Sequence, residues 1–115
     1  MKNLFIIAGP NGAGKTTSSF PLLENFSIDE YVNADSIAYG LSPLHSESVA
    51  IQAGKLMLER IRFLLEHNKS FAFETTLASR SFVNLIRQAK KQDYKINMLF
   101  LWLENIELAL ERALA

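Results

Sequence analysis

The residues with the clearest chemical meaning lie in GPNGAGKTT, residues 9–17. Gly9, Gly14, Lys15 and Thr16 stand in the register G-x-x-x-x-G-K-[ST], which chance places in a chain of this length at roughly half a percent. Glycines let the backbone curl so that successive N–H groups point inward at phosphate oxygens, and a following helix N-terminus adds partial positive charge. Lys15 is expected to reach the β- and γ-phosphates, and the Thr16 hydroxyl to take one position on Mg²⁺. Gly9, Pro10, Asn11, Gly12, Ala13, Gly14 and Thr17 complete the expected nucleotide-binding loop. The bland alternative is a glycine turn that happens to end in lysine and threonine. The flanking sequence decides against it. Leu4 to Ala8 is a nearly unbroken apolar run, as in a strand buried on both faces of a parallel sheet. After Thr16 the chain reads as helical, with Pro21 kinking or ending the helix early. A nucleoside-triphosphate site is expected.

In open α/β sheets ligands sit outside the carboxyl ends of the strands. Asp35, Glu74 with Thr75 and Thr76, and Glu104 are each expected at such an end. Asp35 is the candidate general base, able to accept the proton of an attacking hydroxyl; the structural alternative is a helix N-cap for the residues that follow. Glu74 is an acid ending an apolar strand, suited to a metal-bound water or a substrate, or else to the backbone of the phosphate loop. Thr76 is a candidate substrate contact or simply a β-branched strand former. Arg80 and Arg112 are candidate stabilisers of a transferring phosphoryl group, against the alternative of solvated surface arginines. Arg112 has Ala109 and Leu108 three and four residues before it, so an intrahelical ion pair does not account for it.

The elements that must position these groups follow from the hydrophobic pattern. A second strand is read over residues 28–35, ending in Asn33-Ala34-Asp35, and residues 36–48 as a loop with at most one helical turn. A long amphipathic helix is expected over 47–67, with Val49, Ala53, Leu56, Met57, Ile61 and Leu64 forming one apolar stripe closed by His67-Asn68. A strand at 70–76, a helix at 79–92 with Phe82, Leu85, Ile86 and Ala89 inward, and an apolar, central strand at 94–103 come next. Asn105 can cap a last helix. Strands alternating with helices predict an α/β P-loop NTPase: a parallel sheet of about four strands flanked by helices.

At 115 residues, 49% of them hydrophobic, the chain (1–115) is expected to be one domain. It ends inside the last helix without a stop signal, which reads as an incomplete kinase-type core missing its C-terminal part. Charge is balanced, 12 basic against 12 acidic residues, with no basic block, which argues against a large nucleic-acid footprint. Without cysteine there is no disulfide or thiolate metal site, and His45 and His67 are not spaced as ligands. The N-terminal apolar stretch is too short for a signal peptide or membrane span, so a cytoplasmic location is expected. No strand ends in the Asp-Glu pair of mechanical ATPases. The signatures of transporter ATPases and guanine readers are absent too, which leaves the small-kinase type.

GPNGAGKTT (9–17), VNADSIA (32–38), FAFETTLASR (71–80) and LFLWLENIELALERA (99–113) together resemble the zeta-toxin family of P-loop kinases. The resemblance implies ATP or GTP with Mg²⁺ and phosphorylation of a hydroxyl. In well-studied relatives the acceptor is the sugar of UDP-N-acetylglucosamine, and an antitoxin partner is a further implication. By the same resemblance Lys15 binds phosphate, Asp35 is the base, and Glu74 and Thr76 contact the acceptor. Two departures stand out. Ala78 occupies a position where relatives often carry arginine, with Arg80 two residues on, and relatives continue well past residue 115.

Overall fold

The computed structural model describes residues 2–9, 23–24, 26–75 and 81–100. Within them four strands form one parallel sheet: β1 (Asn3–Ala8), β2 (Glu30–Val32), β3 (Phe71–Thr75) and β4 (Lys95–Phe100), in the spatial order β2-β3-β1-β4. Among the described residues, α1 (Ala34–Leu41) and α2 (Ala50–Glu66), the latter preceded by a 3₁₀ turn at Ser46–Val49, connect β2 to β3, and α3 (Ser81–Lys91) lies between β3 and β4. The α/β class and the all-parallel sheet agree with the sequence pattern.

β1 is buried on both faces because both of its side-chain rows are apolar. Leu4 and Ile6 point into a core that also takes Val32, Phe71 and Phe73 from the sheet, Met57, Ile61, Leu64 and Leu65 from α2, and Leu85 and Ala89 from α3. Phe5 and Ile7 point to the opposite face, where Ala72, Leu23, Ile28 and Tyr31 meet them. Phe73 stacks on Phe82 with centroids 5.1 Å apart, which ties α3 to the sheet. Helix α2 ends as expected: Asn68 takes the left-handed conformation (φ 55), and His67 Nδ1 lies 2.8 Å from the Phe63 carbonyl.

Three expectations are corrected. The second strand stops at Val32, and Asn33 leaves it as the N-cap of α1. The segment read as a loop is therefore a two-turn helix, its eight residues capped by Asn33 and halted by Ser42 before Pro43. Gly40 and Pro43 suggested a loop, but Gly40 falls in the last turn and Pro43 beyond the end, where neither opposes the helix. Finally, β4 is not central; among the described strands it is terminal, with Met98 and Phe100 about half exposed, and β1 and β3 hold the middle.

Candidate functional site

The carboxyl ends of β1 and β3 lie side by side, with Ile7 opposite Glu74 and Ala8 opposite Thr75. The Gly9 N–H donates to the Thr75 carbonyl at 3.2 Å, one step past the strand end. Gly9 has φ 156, in the region glycine reaches without steric cost, so the chain can turn out of the sheet there. The phosphate-loop candidates Pro10, Asn11, Gly12, Ala13, Gly14, Lys15, Thr16 and Thr17 lie outside the described residues, as do Thr76, Arg80, Glu104 and Arg112. Gly9, Asp35 and Glu74 are described.

Glu74 is nearly buried at 9% exposure. Its Oε1 accepts a hydrogen bond from the Tyr31 hydroxyl at 2.7 Å, and its Oε2 accepts one from Asn33 Nδ2. The register explains why these side chains meet. Tyr31 pairs with Ala72 and Val32 with Phe73, so Asn33 comes next to Glu74, and Tyr31, Asn33, Ala72 and Glu74 share one face. Ala72 is small enough for Tyr31 to reach forward over it. A buried carboxylate needs such donors, because desolvation without them is costly.

Asn33 also works in the other direction. Its Oδ1 accepts the backbone N–H of Asp35 at 2.7 Å and of Ser36 at 3.3 Å, capping α1. The cap is therefore Asn33 and not Asp35. That frees Asp35 from the structural role weighed against its chemical one: it sits exposed in the first turn of α1, where its charge complements the helix dipole. Asp35 also lines a cleft of about 330 Å³ with Ala34, Ala38, Ser46, Glu47 and Ala50. Neither Tyr31 nor Asn33 stood out as functional in the sequence. The signal available was the alternation that places Tyr31 and Asn33 on the face of Glu74.

No group of three or more histidine, cysteine or acidic side chains is assembled to hold a metal among the described residues. No described helix is long and apolar enough to cross a membrane.

No family model matches the chain. A curated protein of Haemophilus influenzae, itself uncharacterised, is 26% identical over 107 residues, covering 90% of this chain and 73% of the relative. Among solved structures, the chain resembles a Chloroflexus aurantiacus protein that carries a provisional kinase assignment. That match has a TM-score of 0.66 at 18% identity, over 87% of this chain and 59% of that one. The PezAT toxin–antitoxin system of Streptococcus pneumoniae gives a TM-score of 0.71 at 18% identity, over 87% and 46% of the respective chains. A chain of the Pnkp1/Rnl/Hen1 complex gives 0.64 at 20% identity, over 96% and 38%. The chain thus spans less than two thirds of each of these solved chains. At these identities the likeness is one of fold: a parallel α/β sheet flanked by helices, as in P-loop kinase-like structures.

Proposed function

We propose that the protein is a P-loop phosphotransferase that moves the γ-phosphoryl group of ATP or GTP to a hydroxyl of a small acceptor, a sugar nucleotide such as UDP-N-acetylglucosamine. The observation that carries this reading is the junction at the sheet's carboxyl end. There Gly9, where the phosphate-loop motif begins, bonds to Thr75. Next to Thr75, Glu74 is joined through Asn33 to the helix turn bearing Asp35.

In this reading Lys15 and the loop N–H groups hold the β- and γ-phosphates. Asp35 takes the proton of the acceptor hydroxyl as its oxygen bonds to the γ-phosphorus. The bond from that phosphorus to the β–γ bridging oxygen breaks, and the nucleoside diphosphate leaves. Mg²⁺ in nucleotide sites needs only one or two protein oxygens besides the phosphates, which the Thr16 hydroxyl suits, and it would neutralise charge on the phosphate oxygens. Arg80 and Arg112 are the proposed cations of the transition state, with Glu74 and Thr76 on the acceptor side. An antitoxin-type protein partner and a cytoplasmic location belong to the same proposal.

A second reading, a kinase acting on a nucleic-acid end, draws on the likeness to the Pnkp1/Rnl/Hen1 complex over 96% of this chain. The balanced charge weighs against it. Incubation with γ-labelled ATP or GTP and Mg²⁺, offering either UDP-N-acetylglucosamine or an oligonucleotide with a free terminal hydroxyl, separates the readings. Label on the sugar nucleotide supports the first, and label on the oligonucleotide the second. Nucleotide binding by calorimetry with transfer to neither would point to a non-catalytic nucleotide-binding remnant.

A further inference from the structure

We infer that Asn33 is a positioning residue whose side-chain amide locks the first turn of α1, and with it Asp35, to Glu74 at the end of β3. The inference rests on the reading of Asp35 as the base and deepens it.

The two ends of the amide do different work. Its oxygen accepts two backbone N–H groups of α1, from Asp35 at 2.7 Å and Ser36 at 3.3 Å. Its nitrogen donates to Glu74 Oε2. The polarity is set by chemistry: backbone N–H groups require an acceptor, and an ionised carboxylate requires a donor. Glu74 is itself steadied on its other oxygen by the Tyr31 hydroxyl at 2.7 Å. The result is a continuous chain, Tyr31–Glu74–Asn33–α1, running from β2 to β3 and back to the helix that carries Asp35.

A capping role alone does not call for asparagine. Aspartate and serine cap about equally well, but aspartate would turn an oxygen toward Glu74, and serine is too short to span both partners. The amide is needed only if the link to Glu74 matters. It matters for Asp35 because the apolar face of α1, Ala38 with the half-buried Ala34 and Ile37, seats the body of the helix, whereas the amide fixes its first turn, where the exposed Asp35 stands. A misplacement of about 1 Å at a catalytic group can cost about 10² in rate.

The test is a double-substitution cycle in the full chain, using Asn33→Asp, Glu74→Gln and the two together. Asn33→Asp keeps the cap but opposes two carboxylates. The pair restores donor against acceptor with the polarity reversed, since the amide introduced on β3 would donate to the carboxylate introduced at the cap and accept from the Tyr31 hydroxyl. We expect Asn33→Asp to lower kcat about 10²-fold with KM for the nucleotide little changed. Because Glu74→Gln carries a loss of its own on the acceptor side, the double substitution should turn over at least tenfold faster than the product of the two singles predicts. Asn33→Ser, which adds no charge, should lose kcat similarly and serves if Asn33→Asp does not fold. Full activity in Asn33→Asp, or a double substitution no better than the product of the singles, would overturn the inference. Hydrogen exchange at the Asp35 and Ser36 amides in the same proteins reads the link without catalysis. It should be about tenfold faster in Asn33→Asp and slower again in the pair. If the wild type transfers no phosphate but exchange follows this pattern, the base assignment fails and the link stands. If exchange is the same in all four proteins, the link fails.

Discussion

Lys15, by its register in the phosphate-loop motif, is the side-chain cation proposed to hold the nucleotide, and Lys15→Ala is expected to weaken ATP binding strongly in calorimetry. Unchanged affinity would remove that assignment. Asp35→Asn carries a sharper expectation now that the cap of α1 is Asn33. Phosphoryl transfer should fall by about 10² to 10⁴, while the melting temperature stays near that of the wild type because no capping bond is lost. A normal rate, or a large drop in melting temperature, would show that Asp35 serves the fold. Tyr94 answers to pH. Burial first, and the nearby Asp29 second, raise its pKa above the ordinary value near 10. The folded state therefore holds the phenolic proton more tightly than the unfolded state. Its stabilising contribution is intact below about pH 10 and is lost as pH rises through the folded-state pKa. Tyr94→Phe should flatten this alkaline loss in urea titrations. At neutral pH it should cost about 1 kcal/mol for the hydrogen bond to the Lys69 carbonyl.

At the scale of elements, the apolar stripe of α2 was legible because a 3.6-residue period leaves a plain record in sequence. Ala53, Met57, Ile61 and Leu64 are buried as the spacing implies, and Leu65 joins them. Leu56, on the same stripe, is 37% exposed, because it faces the cleft beside Ile37 and not the sheet. Ile61→Ala should therefore cost about 2–5 kcal/mol in chemical denaturation, against about 1 kcal/mol or less for Leu56→Ala. Equal costs would mean the two face the same environment. Helix α1 was less legible. Asn33-Ala34-Asp35 offers two capping residues two positions apart, and local sequence does not choose between them. The choice falls to Asn33 because β2 stops at Val32, which sets Asn33 beside Glu74, a partner 41 residues away in sequence.

At the scale of the whole molecule, a ligand that binds only the folded state raises apparent stability by mass action, about 2.7 kcal/mol at a hundredfold excess over Kd. ATP with Mg²⁺ should accordingly raise the melting temperature by several degrees, and Lys15→Ala should abolish the rise. An equal rise in both proteins would place the nucleotide elsewhere. The α/β class, the parallel sheet and the buried strand β1 that leads into the candidate phosphate-loop motif followed from sequence alone. Each rests on short-range information: periodicity, apolar runs and glycine register. Strand order did not follow. β1 sits between β3 and β4, and β2 pairs with β3, an arrangement set by which faces bury most together. For the same reason β4, apolar enough to read as central, is terminal among the described strands. The link from Glu74 through Asn33 to Asp35 was equally beyond sequence reasoning. The residue types were visible, but their union depends on a β2–β3 register that forms only when strands distant in sequence pair.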